Sequence, residues 1–390
     1  MTKKEIYLDH ASTTYLDEEV FKEMEPYFSK NYGNPGSLHY KGLESKEALE
    51  RAREKVAGLI GSDVEEIVFT SGGTESINLA IKGVALTKGK GHIITTTVEH
   101  PAVLETCRFL EKKGFKVTYL DVDKDGIVSV KEVEKALRKD TILVSIIYAN
   151  NEIGTINPVA KIGRVLRKKG ILFHTDACQA GGALNINVKD LDVDLMTLNG
   201  SKIYGPKGIG LLYVKKGVKL EPLIHGGGQE NGLISGTENI PGIIGFAKAL
   251  ELGQQKREEE NGRLVELRDR LVTGVLEKIS KTFLNGHPTE RLPNNANISF
   301  LDVEGESILL HLNEKEIYVS TGSACSSKEL EISHVLNAIG LKADAAHGSI
   351  RFSLGKRTTK GDIDYVLKVL PGIIESLRRL SPVHLEEVRK

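Results

Sequence analysis

The chain is poor in cysteine. Cys107, Cys178 and Cys325 stand far apart in 390 residues, too few and too scattered for a disulfide framework or a zinc site. Any cysteine that matters here matters as a thiol, and no metal site is expected. Net charge is lacking too: 53 Lys plus Arg balance 53 Asp plus Glu, so no bulk field draws the chain to nucleic acid or to an anionic membrane. No apolar run approaches the ~18 residues that span a bilayer, and Met1 to Leu8 carry no signal-peptide core. A cytoplasmic protein is the expectation. What is present, 40% apolar and 27% charged residues, is the balance of an ordinary globular chain. Its length predicts two lobes, one large and one small.

Short β-branched runs alternate with helical stretches. Strands are expected at Glu66 to Thr70, His92 to Val98, Lys116 to Asp121, Thr141 to Tyr148, Ile171 to Thr175, Val193 to Leu198 and Gly208 to Val214. Helices fall between them, at Thr74 to Leu86, Ala102 to Lys113, Ser129 to Arg138 and Val159 to Lys169. That alternation defines an α/β lobe with a mainly parallel seven-stranded sheet. A charged pattern from Ile244 to Ser280 reads as one long helix that ends the alternation, and the rest reads as a smaller α+β C-terminal domain. The expected division is 14–255 for the large domain, with 1–13 and 256–390 forming the small one.

In such sheets ligands gather beyond the carboxyl ends of the strands, and the chemically suggestive residues fall there. Ser71-Gly72-Gly73-Thr74 opens a helix, where backbone N–H groups and a hydroxyl can approach a phosphate. His100 closes the next strand, where an imidazole can stack on a flat ring and move protons. Asn151 follows a third strand and Asp176 a fourth; an aspartate there can keep a ring nitrogen protonated, with Gln179 beside it. Lys202 stands beyond the run Val193 to Leu198 and before a Gly-Pro-rich turn, as befits a lysine that forms a Schiff base with a carbonyl cofactor. Each has a plainer reading when taken alone: Lys202 a solvated lysine, the glycine pair turn chemistry, His100 a turn cap, Asp176 a helix N-cap. Together they make the inventory for pyridoxal 5′-phosphate.

Near the C-terminus, Ser320 to Ser327 is small, polar and glycine-containing, and presents Cys325 without large apolar neighbours. A thiolate there can attack a substrate sulfur. Arg351, a lone charge in the apolar alternation Gly348 to Gly355, offers a fork for an α-carboxylate, or else makes a structural ion pair.

These motifs, in this order, resemble the cysteine desulfurases of the NifS/IscS type, class V aminotransferase-like enzymes of PLP fold-type I. The resemblance runs from Tyr7-Leu8-Asp9 to the C-terminal helices. It rests also on Tyr32-Gly33-Asn34-Pro35, Asn150 to Gly154, Gly226 to Glu230 and Ser235-Gly236-Thr237. It implies that Lys202 carries pyridoxal 5′-phosphate, Asp176 pairs with the ring nitrogen, Gln179 with the ring hydroxyl, and His100 stacks as an acid/base. It further implies that Gly73 and Thr74 hold the phosphate and that Asn151 and Arg351 hold the substrate, L-cysteine. Thr237 would reach the phosphate of a neighbouring subunit in a homodimer. Cys325 would take the sulfur as a persulfide for an iron–sulfur scaffold or sulfur-carrier protein.

The family usually has a serine and a histidine where this chain has Asn199 and Ser201. Both can still bond a phosphate, without an imidazolium charge, so weaker cofactor affinity is expected. Asn231 and Ile234 likewise replace two arginines. Two other readings stay open on the residues alone: a selenocysteine lyase or aminotransferase-like enzyme, and a non-catalytic docking platform for a cluster scaffold.

Overall fold

The computed structural model describes residues 5–321, 332–381 and 388–389. The first strand, β1 (Ile6–Tyr7), is two residues long and stands outside the main sheet. Seven strands build that sheet: β2 (Ile67–Thr70), β3 (His92–Thr96), β4 (Lys116–Leu120), β5 (Thr141–Ser145), β6 (Leu172–Asp176), β7 (Leu195–Asn199) and β8 (Gly210–Val214). Their order across the sheet is β2-β8-β7-β6-β5-β3-β4. Only β8 runs against its neighbours β2 and β7; the other pairs are parallel. Thus β2, β3, β5, β6 and β7 all end on the same edge of the sheet.

The central strands are buried along their whole length because helices cover both faces, which is why they read as unbroken apolar runs. On one face Tyr40–Ile60, Val159–Lys169 and Ile240–Gln255 pack Val56, Ile162 and Phe246 against Phe69 and Phe173. On the other, Gly73–Lys88 and Pro101–Glu111 pack Ile77, Ile81, Val103 and Leu110 against Val68, Ile93 and Leu143. Each such side chain, fully buried, contributes on the order of 1.5–3 kcal/mol.

The smaller sheet is antiparallel. It contains β9 (Thr282–Asn285), β10 (Asn295–Phe300), β12 (Ser320–Thr321) and β13 (Ser349–Ser353), in the order β12-β13-β10-β9; the short β11 (Ile317–Tyr318) instead pairs in parallel with β1. Helices Arg257–Lys278 and Lys360–Leu380 bury Leu271, Ile363 and Leu370 against Phe300 and Phe352, and Ile6 and Leu8 join that core.

The charged pattern from Ile244 to Ser280 is therefore not one helix. It is two, Ile240–Gln255 and Arg257–Lys278, broken at Lys256, whose φ of −99° and ψ of 7° leave the helical region. The first packs on the large core and the second on the small one. A single straight rod could not serve both.

Candidate active site

The strand ends meet in a cavity of about 360 Å³, lined by Gly73, Thr74, His100, Asn151, Asp176, Gln179, Asn199, Lys202 and Arg351 among others. Helix Gly73–Lys88 starts there with no side-chain cap, so its first N–H groups have no intrahelical acceptor and favour an anion. A side chain at Gly73 would bring its Cβ to 2.9 Å from the Cys178 sulfur; only glycine leaves that floor open.

His100 caps helix Pro101–Glu111, its Nδ1 accepting from the Ala102 N–H at 3.1 Å. The plainer reading holds, since the ring caps a helix, and the ring also faces the cavity. Because Nδ1 is the acceptor, a proton on the neutral ring resides on Nε2. Burial lowers its pKa, with Asp176 opposing that shift and Lys202 and His334 adding to it. Asn151 sits in a turn shaped by Asn150, whose Oδ1 accepts from the Glu152 and Ile153 N–H groups and whose Nδ2 donates to the Val98 carbonyl. Asp176 ends β6, is 4% exposed, and accepts the Cys178 N–H at 3.0 Å. Two residues earlier, burial holds His174 neutral by pushing its pKa down to about 4, with Ser145 and Thr197 hydroxyls on its two nitrogens. Burial also raises the Cys178 thiol well above its ordinary value, so it lines the cavity as a neutral thiol.

Behind the His100 wall lies Glu99. It is fully buried, and burial pushes its pKa up to about 8 against the opposing hydrogen bonds. Its Oε1 accepts from Thr96 Oγ1 at 2.7 Å and the Ile147 N–H at 2.9 Å, while its Oε2 has no partner among the described residues.

The opposite wall comes from the start of the chain. Lys202 Nζ donates to the carbonyls of Ala11, at 3.0 Å, and Ser12. Gln179 Nε2 donates to the same Ala11 carbonyl at 2.9 Å. Arg351, on β13 and 4% exposed, donates from Nη2 to Asp9 Oδ1 and Ser12 Oγ, and from Nη1 to the Asn151 carbonyl. Its Nε, also buried, has no acceptor among the described residues. The ion-pair reading of Arg351 thus holds for one end of its fork, while another donor stays unused.

Two expected site residues, Ser201 and Thr237, do not line this cavity. Ser201 turns its hydroxyl to Asn199 Oδ1, 3.3 Å away, and that same oxygen caps the Gly200–Lys202 turn. Thr237 is exposed, on a loop tethered by Glu230, which pairs with Arg53 and accepts the Phe69 N–H. Cys325 lies outside the described residues. Conversely, Ala11, Ser12 and Cys178 line the cavity without having been expected to. The Tyr7-Leu8-Asp9 motif marked the segment but gave its turn no task. No group of three or more His, Cys, Asp or Glu that could hold a metal occurs among the described residues.

The Aminotransferase class-V family matches the chain over residues 6–366. A cysteine desulfurase IscS of Dictyoglomus turgidum is 56% identical over 387 residues, 98% of this chain and 98% of that protein. Another, of Methanosarcina thermophila, is 54% identical over 389 residues, 99% of this chain and 96% of that one. A solved NifS-like protein superimposes with a TM-score of 0.91 at 42% identity, over 96% of this chain and 100% of its own. Fold, cavity and sequence agree: the chain belongs to the aminotransferase class-V family. Within that family, the relatives it matches over nearly its whole length are cysteine desulfurases of the IscS type.

Proposed function

We propose that this chain removes sulfur from L-cysteine with pyridoxal 5′-phosphate, yielding L-alanine and a Cys325 persulfide that passes to an iron–sulfur scaffold or sulfur-carrier protein. The observation that carries this reading is the meeting, in one cavity, of an uncapped helix N-terminus, a buried carboxylate, an imidazole, a lysine amine and a buried arginine. The donor set fits the cofactor. The N–H groups at Gly73 and Thr74 would take its phosphate, Asp176 would hold a proton at its ring nitrogen, His100 would cover its ring, and Lys202 would bind it covalently through Nζ. Gln179, Asn199 and Asn151 complete that set. When bound, the cofactor supplies an electron sink for a carbanion at the substrate α-carbon.

The protein's own residues do the rest. Arg351 holds the substrate carboxylate, His100 moves a proton through Nε2, and the Ala11 and Ser12 carbonyls hold the Lys202 amine when it is released from the cofactor. The Cys325 thiolate attacks the substrate sulfur. An S–S bond forms, the C–S bond breaks, and its electron pair returns to the carbon side, which takes up protons as alanine is released.

The resemblance also supports a cytoplasmic homodimer in which Thr237 serves the neighbouring subunit's phosphate. In keeping with this, Thr237 is exposed and stands apart from its own chain's cavity. No described helix is long and apolar enough to cross a membrane. The division into 14–255 and 1–13 plus 256–390 is supported by the separate cores, since Ile6 and Leu8 pack with Leu264 and Ile363.

Incubation with L-cysteine and pyridoxal 5′-phosphate should release alanine and leave one extra sulfur on the peptide containing Cys325, read by intact and peptide mass. Cys325→Ala should abolish that persulfide and lower turnover about 100-fold or more. Full single-turnover activity in the variant would remove Cys325 from its role.

A further inference from the structure

Arg351 is held by three contacts that leave two of its five N–H donors over, the Nε–H and one on Nη1. Its Nη2 reaches Asp9 Oδ1 at 2.8 Å and Ser12 Oγ at 2.6 Å, and its Nη1 reaches the Asn151 carbonyl at 3.1 Å. Ser12 Oγ in turn donates to Asp9 Oδ1 at 2.9 Å, so Asp9, Ser12 and Arg351 close a ring of hydrogen bonds. A guanidinium is planar, and fixing both terminal nitrogens fixes the direction of Nε. That Nε–H, buried and without an acceptor among the described residues, and the second N–H of Nη1 are the donors left for an incoming anion. An orphaned buried donor is costly unless something arrives to satisfy it.

We infer that Asp9 and Ser12 are positioning residues for substrate recognition: they aim Arg351 so that its remaining donors meet the carboxylate of an amino-acid substrate. The inference rests on the function proposed above and adds to it the residues that set specificity for a carboxylate. The Asp9 carboxylate is not needed to shape its own turn. Other contacts do that: the Ser12 N–H on the Asp9 carbonyl, Tyr7 Oη donating to the Asp9 and Thr13 carbonyls, and the Ala11 N–H on Ser353 Oγ. The carboxylate side chain is 21% exposed, and its one ion pair among the described residues is with Arg351. Ser12 also places its carbonyl on Lys202 Nζ, so the same turn orients both cations of the cavity.

The test compares Asp9→Ala, Asp9→Asn and Ser12→Ala on L-cysteine and on cysteamine, which keeps the thiol and amine and lacks the carboxylate. Asp9→Ala should raise KM for L-cysteine about tenfold and change kcat less than about threefold, as expected for loss of a ground-state binding contact. Cysteamine kinetics should not move. Asp9→Asn, which keeps an oxygen for Nη2 and for Ser12, should recover most of the loss, and Ser12→Ala should raise KM about threefold. A second readout is independent of desulfuration: L-alanine against ethylamine, titrated into the cofactor-loaded protein and followed by visible absorbance. The wild type should prefer L-alanine, and Asp9→Ala should lose most of that preference. Equal shifts for cysteine and cysteamine, or an unchanged preference for L-alanine, would overturn the inference. If Asp9→Ala does not fold, Ser12→Ala and Asp9→Asn decide by the same two comparisons. A wild type that binds L-alanine selectively yet releases none from cysteine would sink the proposed function and leave the aiming of Arg351 standing.

Discussion

The two walls of the cavity are built in different ways. One is a row of strand ends: Gly73, His100, Asn151, Asp176 and Lys202 stand at the ends of β2, β3, β5, β6 and β7 of a single sheet, and each is placed by a turn within a few residues of itself. The other is a junction. Asp9, Ala11 and Ser12 meet Gln179, Lys202 and Arg351 across sequence separations of 168 to 342 residues. The first wall carries groups suited to a flat anionic cofactor; the second holds the Arg351 guanidinium on Asp9 and Ser12 and the Lys202 amine on the Ala11 and Ser12 carbonyls. The sheet's topology makes the first wall almost unavoidable once the strands pair. The second exists only when both lobes are folded.

The comparison predicts that damage to the two walls will look different. The largest effect belongs to the strand-end wall: Lys202→Ala should lower turnover at least ~1,000-fold, and borohydride should no longer fix the cofactor to the protein. A variant that keeps borohydride-fixed cofactor would break the assignment of this wall.

Next comes the junction. Arg351→Lys keeps the charge and loses the fork, so KM for L-cysteine should rise roughly 10–100-fold while kcat and cofactor absorbance stay near wild type. A fall in kcat without a KM change would mean that the two walls are not functionally separate.

The smallest effect lies behind the strand-end wall, at Glu99. Its folded pKa is raised by burial, to about 8 from 4.5, so the folded state prefers the protonated acid. Asp176 adds to that shift, while Thr96 and the Ile147 N–H oppose it. Its stabilising contribution is complete below about pH 4.5 and is lost as pH rises towards 8, at a slope of at most about 1.4 kcal/mol per pH unit. Glu99→Gln cannot ionise. Its melting temperature should fall several degrees less than that of the wild type between pH 5 and 8.5, with little change in turnover at pH 7. Parallel melting curves would show that Glu99 ionises freely.

The difference between the walls also explains what could be read from the chain. Strand-end motifs are local, so Gly73, His100, Asp176 and Lys202 could be placed by spacing alone and then assembled by the α/β rule. The alternation around Arg351 exposed its oddity as a charge, but its partner Asp9 is unreadable without the pairing of the chain start with β13. Nothing in the sequence marked Cys178 for the wall; the bare Gly73 opposite shows it there. The break at Lys256 was hidden because both halves keep helical periodicity, and only their separate cores distinguish them. Ser201 was expected near the phosphate because it stands where the family resemblance places a histidine, yet Asn199 captures its hydroxyl within the turn.

The turn at Asp9 to Thr14 is among the first segments made and among the last to find its place. Its partner strand ends at Ser353, so at roughly 5–20 residues per second a ribosome spends some tens of seconds between the two. The strands of the first wall are all made by Val214, so that wall can form while the strand that receives the Asp9 turn is still to be synthesised. On the proposed function, a nascent chain takes up pyridoxal 5′-phosphate before Asp9 and Ser12 meet Arg351. Selectivity among amino acids would then be acquired only on release from the ribosome, when the chain's two ends meet.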